Sequence, residues 1–169
     1  MSGPADSLRA HADAILAAVP DPSAGLPDDV FRLVGEIAPL VNVDLLIKDE
    51  RSRTLLTWRS DALYGPGWHV PGSILRYKET LADRIRACAL AELGATVTAE
   101  DAPLMILELI GAQRNRGHHI SLLYRCRLTG ALDPRRRAVS DPPQPGQWRW
   151  HHGAPPDLLP AQARYAALL

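Results

Sequence analysis

The segment from Trp68 to Gly94 constrains the fold of this chain more than any other part of the sequence. It contains a glycine turn at Gly72, a threonine at position 80 that can cap a helix, and then a run with helical periodicity that stops at Gly94. Threonine just before the first turn and glycine just after the last turn are typical helix boundaries. The segment therefore predicts a helix over residues 81–93.

Glu92 lies on the apolar face of that predicted helix. At about 100° per residue, Ile85 and Cys88 fall roughly 40° and −20° from Leu81, and Glu92 falls between them at about 20°. A carboxylate in apolar surroundings is costly unless a partner compensates its charge. That partner could be a basic side chain, the end of another element that Glu92 caps, or a metal ion.

Two further oxygen donors in the segment favour the metal. Glu79 precedes the helix, and the tight turn at Gly72 lets a backbone carbonyl approach an ion closely. Carboxylate and carbonyl oxygens suit Mg²⁺ or Mn²⁺, and such an ion would bring a diphosphate substrate as co-ligand. The alternative for Glu79 is a carboxylate that stabilises the positive end of the helix.

The rest of the chain predicts strands interleaved with helices, which indicates a layered α/β domain. The predicted helices are 6–19, 28–38 and 160–168, the predicted strands are 41–48, 54–59, 68–71, 104–109, 120–128 and 147–150, and 60–67 is a predicted loop. Several prolines between the first two helices mark a linker. We therefore expect an N-terminal helix and linker over residues 1–27 and one domain over residues 28–169.

Charge and composition exclude some classes of function. Nineteen basic and nineteen acidic side chains cancel, so nothing in the net charge points to a nucleic acid or an anionic membrane as a partner. The two cysteines are too few for a disulfide framework, and the sequence has neither a secretory signal pattern nor an apolar run of membrane-spanning length. We expect a cytoplasmic protein.

The same segment resembles the signature of the Nudix hydrolases. That signature reads Gly, five residues, Glu, seven residues, and then Arg-Glu-aliphatic-any-Glu-Glu-any-Gly-aliphatic. With Ser73 in the place of the first Gly, Glu79 matches the first Glu, and Glu92, Gly94 and Ala95 match the tail. The resemblance implies an α/β fold, namely a Nudix-like α/β/α sandwich with a mixed sheet.

The flanks of the segment resemble one branch of that family, GDP-mannose mannosyl hydrolase. The matching stretches are Pro39-Leu40-Val41 followed by Asp44, Trp58-Arg59, Trp68-x-Val-Pro-Gly72, Glu79-Thr-Leu, Ala91-Glu-Leu-Gly94, and Gln144 followed by Trp148-Arg149-Trp150. In this branch, water attacks the sugar carbon and GDP leaves with inversion. The ion then only neutralises the departing diphosphate, so fewer metal ligands are needed.

The resemblance implies a set of site residues and a substrate. It implies that the Gly72 carbonyl, Glu92 and the Gln144 amide oxygen hold Mg²⁺ (or Mn²⁺). It also implies that Arg59 binds the diphosphate and Asp44 lies near the nucleotide or the sugar. Glu92, Glu79 and Arg59 are therefore the candidate catalytic residues. The implied substrate is a nucleoside diphosphate sugar such as GDP-mannose, and a homodimer would be a way to bury the apolar stripe of the first helix.

Several positions depart from the pattern. Ala87, Cys88 and Ala91 replace an Arg and two Glu of the signature, and Pro145 stands where the branch has its general-base histidine. The pairs His118-His119 and His151-His152 each place one histidine on either face of a strand, so each pair could supply at most one metal ligand or one replacement base.

These departures leave three functions open. The first is Mg²⁺-dependent hydrolysis of a GDP-sugar to the sugar and GDP. The second is conventional Nudix diphosphatase chemistry, in which water attacks phosphorus. The third is a Nudix-like domain that binds a nucleotide and has lost most or all of its activity.

Overall fold

A computed structural model describes residues 4–169 of the chain. Its α-helices are α1 (Pro4–Ala18), α2 (Asp28–Ile37) and α3 (Leu81–Leu93). Its strands are β1 (Leu40–Ile47), β2 (Thr54–Asp61), β3 (Gly65–His69), β4 (Gly72–Ile74), β5 (Val97–Ala99), β6 (Met105–Ile110), β7 (His118–Leu128) and β8 (Trp148–His151). Short 3₁₀ helices cover Pro22–Ala24 and Pro134–Arg136, and a longer one covers Pro160–Leu168.

The strands form two sheets. In the five-stranded sheet, β4 pairs with β1, β1 pairs with β7, and β7 pairs along its other edge with both β5 and β6. The β1–β7 pair is parallel and the other pairs are antiparallel. The three-stranded sheet is antiparallel, in the order β3-β2-β8. The predicted α/β class with a mixed sheet is confirmed.

Helix α3 forms where the sequence predicts it. The Thr80 hydroxyl accepts the Asp83 N–H at 3.1 Å and so caps the first turn. Gly94 ends the helix in the left-handed region at φ 63°, where a side chain would also meet Asp133. The buried face of the helix packs on the odd-numbered residues of β1, which are apolar because successive strand residues point to opposite faces.

The even-numbered residues of β1 face a second core cluster. Leu46 packs there with Trp58, Trp68 and Tyr165, and the last of these comes from the Pro160–Leu168 helix. The three-stranded sheet contributes to both clusters, because its Leu55 and Trp148 pack with α3. Asn42 and Asp44 share the face of Leu46, so the chain puts polar groups at one end of an otherwise apolar layer.

The sequence predicted most elements within a few residues, but it missed two strands and one hairpin. Three-residue strands such as β4 and β5 are too short to show periodicity. The predicted loop over 60–67 is wrong in part, because β2 continues to Asp61 and β3 begins at Gly65. Gly67 suggested a turn, because glycine is common in turns. In the structure it lies inside β3, where a Cβ would lie 2.5 Å from the Leu159 side chain.

Two features of the sequence have simple counterparts in the structure. Both cysteines are buried and unpaired. Within the described part of the chain, none of the helices combines the length and the apolar character needed to cross a bilayer.

Candidate active site

A cavity of about 920 Å³ opens between the polar end of β1 and the loops around the second sheet. Its polar lining includes Asn42, Asp44, Arg59, Asp61, His69, Glu92, Gln113, Arg116, His119, Ser121, Gln162 and Arg164. Of the residues predicted for the site, Asp44, Arg59, Gly72 and Glu92 all line this cavity. Glu79 and Gln144 do not.

Glu92 has no cationic partner in the structure. The carboxylate is half-buried, and no Lys, Arg or His within residues 4–169 lies at salt-bridge distance from it. Burial raises the pKa of Glu92, although the nearby charges of Arg59 and Arg136 oppose that shift. The residue also sits in the last turn of α3, where the helix dipole disfavours a negative charge. A structural ion pair therefore does not explain this carboxylate.

The Thr57 hydroxyl joins Glu92 to a buried histidine. Thr57 Oγ1 lies 3.1 Å from Glu92 Oε2 and 3.2 Å from His69 Nε2. His69 Nδ1 lies 2.7 Å from the Val70 carbonyl, which can only accept, so Nδ1 carries a proton. Burial lowers the pKa of His69 to about 4, so its ring is neutral near neutral pH and Nε2 is an acceptor. The Thr57 hydroxyl donates to Glu92, and this hydrogen bond lowers the pKa of Glu92 less than burial raises it.

Gly72 presents its carbonyl at a free sheet edge. Gly72 pairs with Asp44, while the ladder hydrogen bonds run from Leu45 N to the Pro71 carbonyl and from Leu75 N to the Val41 carbonyl. Gly72 is therefore at a non-hydrogen-bonded position, and its carbonyl points away from β1. Strand β4 is the outermost strand on this side, so no further strand pairs with that carbonyl.

Asp44 is a buried carboxylate at the floor of the cavity. It is 3% exposed, and it accepts hydrogen bonds from Tyr165 Oη and Asn42 Nδ2, each at 2.7 Å. Burial raises the pKa of Asp44 to about 6, even though these hydrogen bonds stabilise the charged form. A Cβ on Gly72 would lie 2.3 Å from Asp44 Oδ1, so only glycine fits beside this carboxylate.

We expect Asp44→Asn to stabilise the metal-free protein above pH 6. Because burial raises the folded-state pKa to about 6 from the ordinary value of 3.8, the folded state favours the protonated carboxyl. Ionisation of Asp44 therefore destabilises the folded wild-type protein. This destabilisation is absent below the unfolded-state pKa, grows between the unfolded-state and folded-state pKa values, and is complete above the folded-state pKa. About two pKa units correspond to roughly 2–3 kcal/mol. Urea denaturation of both proteins in EDTA from pH 4 to pH 8 measures this difference.

The informative quantity is the free energy of unfolding of Asp44→Asn minus that of the wild-type protein, because the other carboxylates titrate equally in both proteins. This difference should be near zero at pH 4 and reach its plateau by pH 7. A wild-type protein that is more stable than Asp44→Asn at pH 8 would contradict the assigned environment of Asp44.

Arg59 is held rigidly at the cavity wall. Its Nε and Nη2 atoms each lie 2.6 Å from Asp61 Oδ2, and its guanidinium lies 4.4 Å from the centre of the Tyr64 ring. These contacts leave Nη1 for a ligand. The position agrees with the predicted contact to a diphosphate, which stays a prediction.

Glu79 is bound to Arg84 and lies outside the cavity lining. Its Oε1 accepts from Arg84 Nη2 at 2.7 Å and its Oε2 accepts from the Arg76 backbone N–H at 3.0 Å. Burial opposes ionisation of Glu79, but these contacts outweigh it and lower its pKa. A metal-binding or catalytic role for Glu79 stays a prediction, since the structure gives this carboxylate a partner of its own.

Arg84 occupies the place of the missing signature arginine. It precedes Ala87 by three residues, about one turn, and therefore lies on the same face of α3. The buried guanidinium also donates from Nη1 to the Ser73 hydroxyl at 3.0 Å. It thus ties the loop after β4 to the helix that carries Glu92. Arg86, which is exposed and pairs with Asp83, does not take this role.

The C-terminal loop brings Pro145 rather than Gln144 to the cavity. The Gln144 side chain is exposed, whereas Pro145 and Gly146 line the wall. Gln144 as a metal ligand stays a prediction. Of the four histidines in the two pairs, only His119 lines the cavity; among the others, His118 lies 3.2 Å from exposed Glu108 and His151 packs against Trp68.

The sequence did not single out His69, Thr57, Tyr165, Arg84 or Arg116. Strand alternation in Trp68-His69 would have pointed to His69, because Trp68 is a core residue and its neighbour must face the other way. No local pattern could identify Tyr165, since it meets Asp44 across 121 positions of the chain.

The donor groups at the cavity fit a hard divalent cation. A carboxylate without a cationic partner and an outward-pointing backbone carbonyl are oxygen ligands of the kind that Mg²⁺ and Mn²⁺ prefer. The described residues include no group of three or more His, Cys, Asp or Glu side chains that could hold a metal. An ion here would therefore depend on Glu92, Gly72 and oxygens of a substrate.

Comparison with known proteins identifies the fold. No protein-family model matches the chain. The chain is 38% identical over 79 residues to the low-salt glycan biosynthesis protein Agl8 of Haloferax volcanii, and this match covers 47% of the chain and 50% of Agl8. The chain thus spans about half the length of this curated relative.

Solved structures match more of the chain. A MutT Nudix hydrolase from Burkholderia pseudomallei matches with a TM-score of 0.59 and 23% identity, covering 76% of this chain and 95% of that one. A UDP-X diphosphatase matches with a TM-score of 0.56 and 15% identity, covering 96% and 78%. A Nudix hydrolase from Nitrosomonas europaea matches with a TM-score of 0.56 and 20% identity, covering 76% and 70%. The chain therefore has the fold of the Nudix hydrolases.

Proposed function

We propose that this protein is a Mg²⁺-dependent hydrolase of a nucleoside diphosphate derivative, and that the substrate is a GDP-sugar such as GDP-mannose. The observation that carries the proposal is Glu92, a half-buried carboxylate whose charge has no cation at salt-bridge distance in the described chain. It shares a cavity with the Gly72 carbonyl and with Arg59. These groups suit a cation and a diphosphate, respectively.

The names of similar proteins support a nucleotide-sugar substrate. One matched structure is a UDP-X diphosphatase, and the matched curated protein acts in glycan biosynthesis by its name. Sugars are commonly activated as nucleoside diphosphate derivatives, so both names fit the proposed substrate class.

The proposed reaction breaks the bond between the anomeric carbon and the β-phosphate oxygen. The oxygen of water bonds to that carbon, the electron pair of the broken bond stays on GDP, and the proton of the water passes to a base. Glu92 and the Gly72 carbonyl would hold Mg²⁺, which neutralises the charge that builds on the leaving diphosphate. Arg59, fixed by Asp61 and Tyr64, contributes a positive charge that is already in position.

Asp44 and His119 are the cavity groups that can take part in proton transfer or sugar binding. Asp44 can accept hydrogen bonds from sugar hydroxyls, as it does from Tyr165 and Asn42. His119 lines the cavity and is half-buried, and burial lowers its pKa, so it is neutral and able to accept a proton near pH 7.

Hydrolysis of GDP-mannose in ¹⁸O-water tests this proposal against its alternatives. We expect unlabelled GDP and mannose to form with Mg²⁺ and not with EDTA, because attack at carbon leaves every phosphate oxygen untouched. Mass spectrometry of the nucleotide avoids the exchange of the anomeric oxygen of free mannose with water.

Other products would overturn the proposed chemistry. Labelled phosphate in GMP or in mannose 1-phosphate would indicate a conventional diphosphatase, which the same fold can support. Stabilisation of the protein by GDP-sugars with no product at all would indicate a nucleotide-binding domain. A cytoplasmic location, a homodimer and the lack of a nucleic-acid partner stay predictions from the sequence.

A further inference from the structure

The loop of residues 111–117, between β6 and β7, is docked on α2. The Arg116 backbone N–H donates to the Gly35 carbonyl at 3.0 Å, and Arg114 Nε lies 2.7 Å from Glu36 Oε2. The loop packs closely on the helix at this glycine, because a Cβ there would lie 2.9 Å from the side-chain oxygen of Asn115 and 3.5 Å from the Arg116 backbone nitrogen. One side of the loop is therefore fixed, and its position beside the cavity is defined.

Arg116 is the residue of this loop that projects a charge into the cavity. Its φ is 54°, in the left-handed region that residues with a Cβ seldom adopt. Its guanidinium lies 4.6 Å from the centre of the Phe31 ring, and both side chains line the cavity. No carboxylate of residues 7–169 lies at salt-bridge distance from this guanidinium. The loop thus presents a fork of N–H donors that rests on the Phe31 ring of α2 and has no carboxylate partner.

The Phe31–Arg116 pair lies at the opposite end of the cavity from the candidate metal ligands. Burial lowers the pKa of His119 most, and the nearby charge of Arg116 lowers it further. The charges that lower the pKa of Glu92 are instead those of Arg59 and Arg136. His119 pairs with Leu40, and Gly72 pairs with Asp44 four residues further along β1. Four strand residues span about 13 Å.

We propose that Arg116, held by Phe31, binds the nucleobase of the substrate and selects guanine. This inference rests on the proposed function, which places a diphosphate at the Arg59 end of the cavity. Guanine presents two adjacent acceptors, O6 and N7, that match the arginine fork, whereas uracil offers no such pair. The ring of Phe31 lies against the guanidinium and holds it in place. Discrimination between bases is therefore assigned to Arg116, and the positioning of Arg116 to Phe31.

Binding of GDP and UDP in EDTA tests this assignment without metal and without turnover. Isothermal titration of the wild-type protein should give a Kd for GDP at least roughly tenfold below that for UDP, the size expected of one bidentate base contact. Arg116→Gly removes the guanidinium and suits the left-handed backbone, so the loop can keep its conformation. Arg116→Lys keeps the charge without the fork. Both variants should bring the two Kd values within about threefold of each other.

Arg114→Met is the matched control, because it removes the same charge from the same loop outside the cavity lining. It should keep the wild-type preference for GDP. Equal Kd values for GDP and UDP in the wild-type protein would overturn the inference. So would an Arg116→Lys variant that keeps the preference, or an Arg116→Gly variant that weakens both nucleotides equally, since either result would make Arg116 a phosphate ligand. These outcomes do not depend on whether GDP-mannose is hydrolysed.

Discussion

Replacing Glu92 with glutamine should lower Mg²⁺-dependent release of GDP from GDP-mannose by at least about a hundredfold, since a metal at such a site contributes several kcal/mol to the transition state. The same variant should be no less stable than the wild-type protein in EDTA. Its neutral amide replaces a half-buried charge that has no cation at salt-bridge distance in the described structure, and the amide oxygen can still accept the Thr57 hydroxyl. Steady-state kinetics and thermal denaturation measure the two effects separately.

Glu79→Gln is the matched control for this experiment. Glu79 lies outside the cavity and is bonded to Arg84. We therefore expect this variant to lose stability but to keep its dependence on Mg²⁺ in the folded fraction. If Glu79→Gln abolishes turnover while Glu92→Gln keeps it, the two glutamates have been assigned the wrong way round.

Replacing Arg84 with methionine should lower the free energy of unfolding by about 3–5 kcal/mol, because it leaves one half of a buried ion pair without its partner. The side chains of Arg84 and Glu79 are only 9% and 15% exposed, and their nitrogen and oxygen lie 2.7 Å apart. Arg84 also donates to Ser73, which follows Gly72 in β4. Urea denaturation measures the loss.

Two companion variants show whether the loss comes from the pair itself. Arg86→Met removes an exposed arginine from the same helix, where the salt bridge to Asp83 is solvated, and should leave stability unchanged. The double variant Glu79→Gln with Arg84→Met should recover part of the loss, since no buried charge is then left alone. Equal losses from Arg84→Met and Arg86→Met would show that Arg84 is an ordinary surface residue.

The sequence predicted the parts of this molecule that depend on local patterns. Helix α3 begins and ends where Thr80 and Gly94 place it, and the apolar face of the helix contains Glu92, as its spacing requires. Gly72, Asp44 and Arg59 could be placed together only through the resemblance to a known family, because nothing local links three different strands.

The parts that were missed depend on contacts between distant residues. Ala87 stands where the signature has an arginine, and the arginine that turns inward is Arg84, one turn earlier, which binds Glu79. The order of residues does not show which arginine turns inward. Arg116 is similar, since its importance comes from a loop that packs on α2, far from it in sequence. A role for His69 at the site was not predicted, because it occupies the unspecified position of the matching stretch Trp68-x-Val-Pro-Gly72.

Whether Glu92 binds a divalent metal in this cavity is the central question, and Mn²⁺ titration followed by electron paramagnetic resonance answers it most directly. We predict that the wild-type protein binds Mn²⁺ saturably in the presence of GDP. We also predict that Glu92→Gln lowers the Mn²⁺ affinity by at least roughly 10–100-fold, which is the loss typical of removing a residue that only supports a metal ligand. Equal Mn²⁺ affinity in the two proteins would contradict the proposed site.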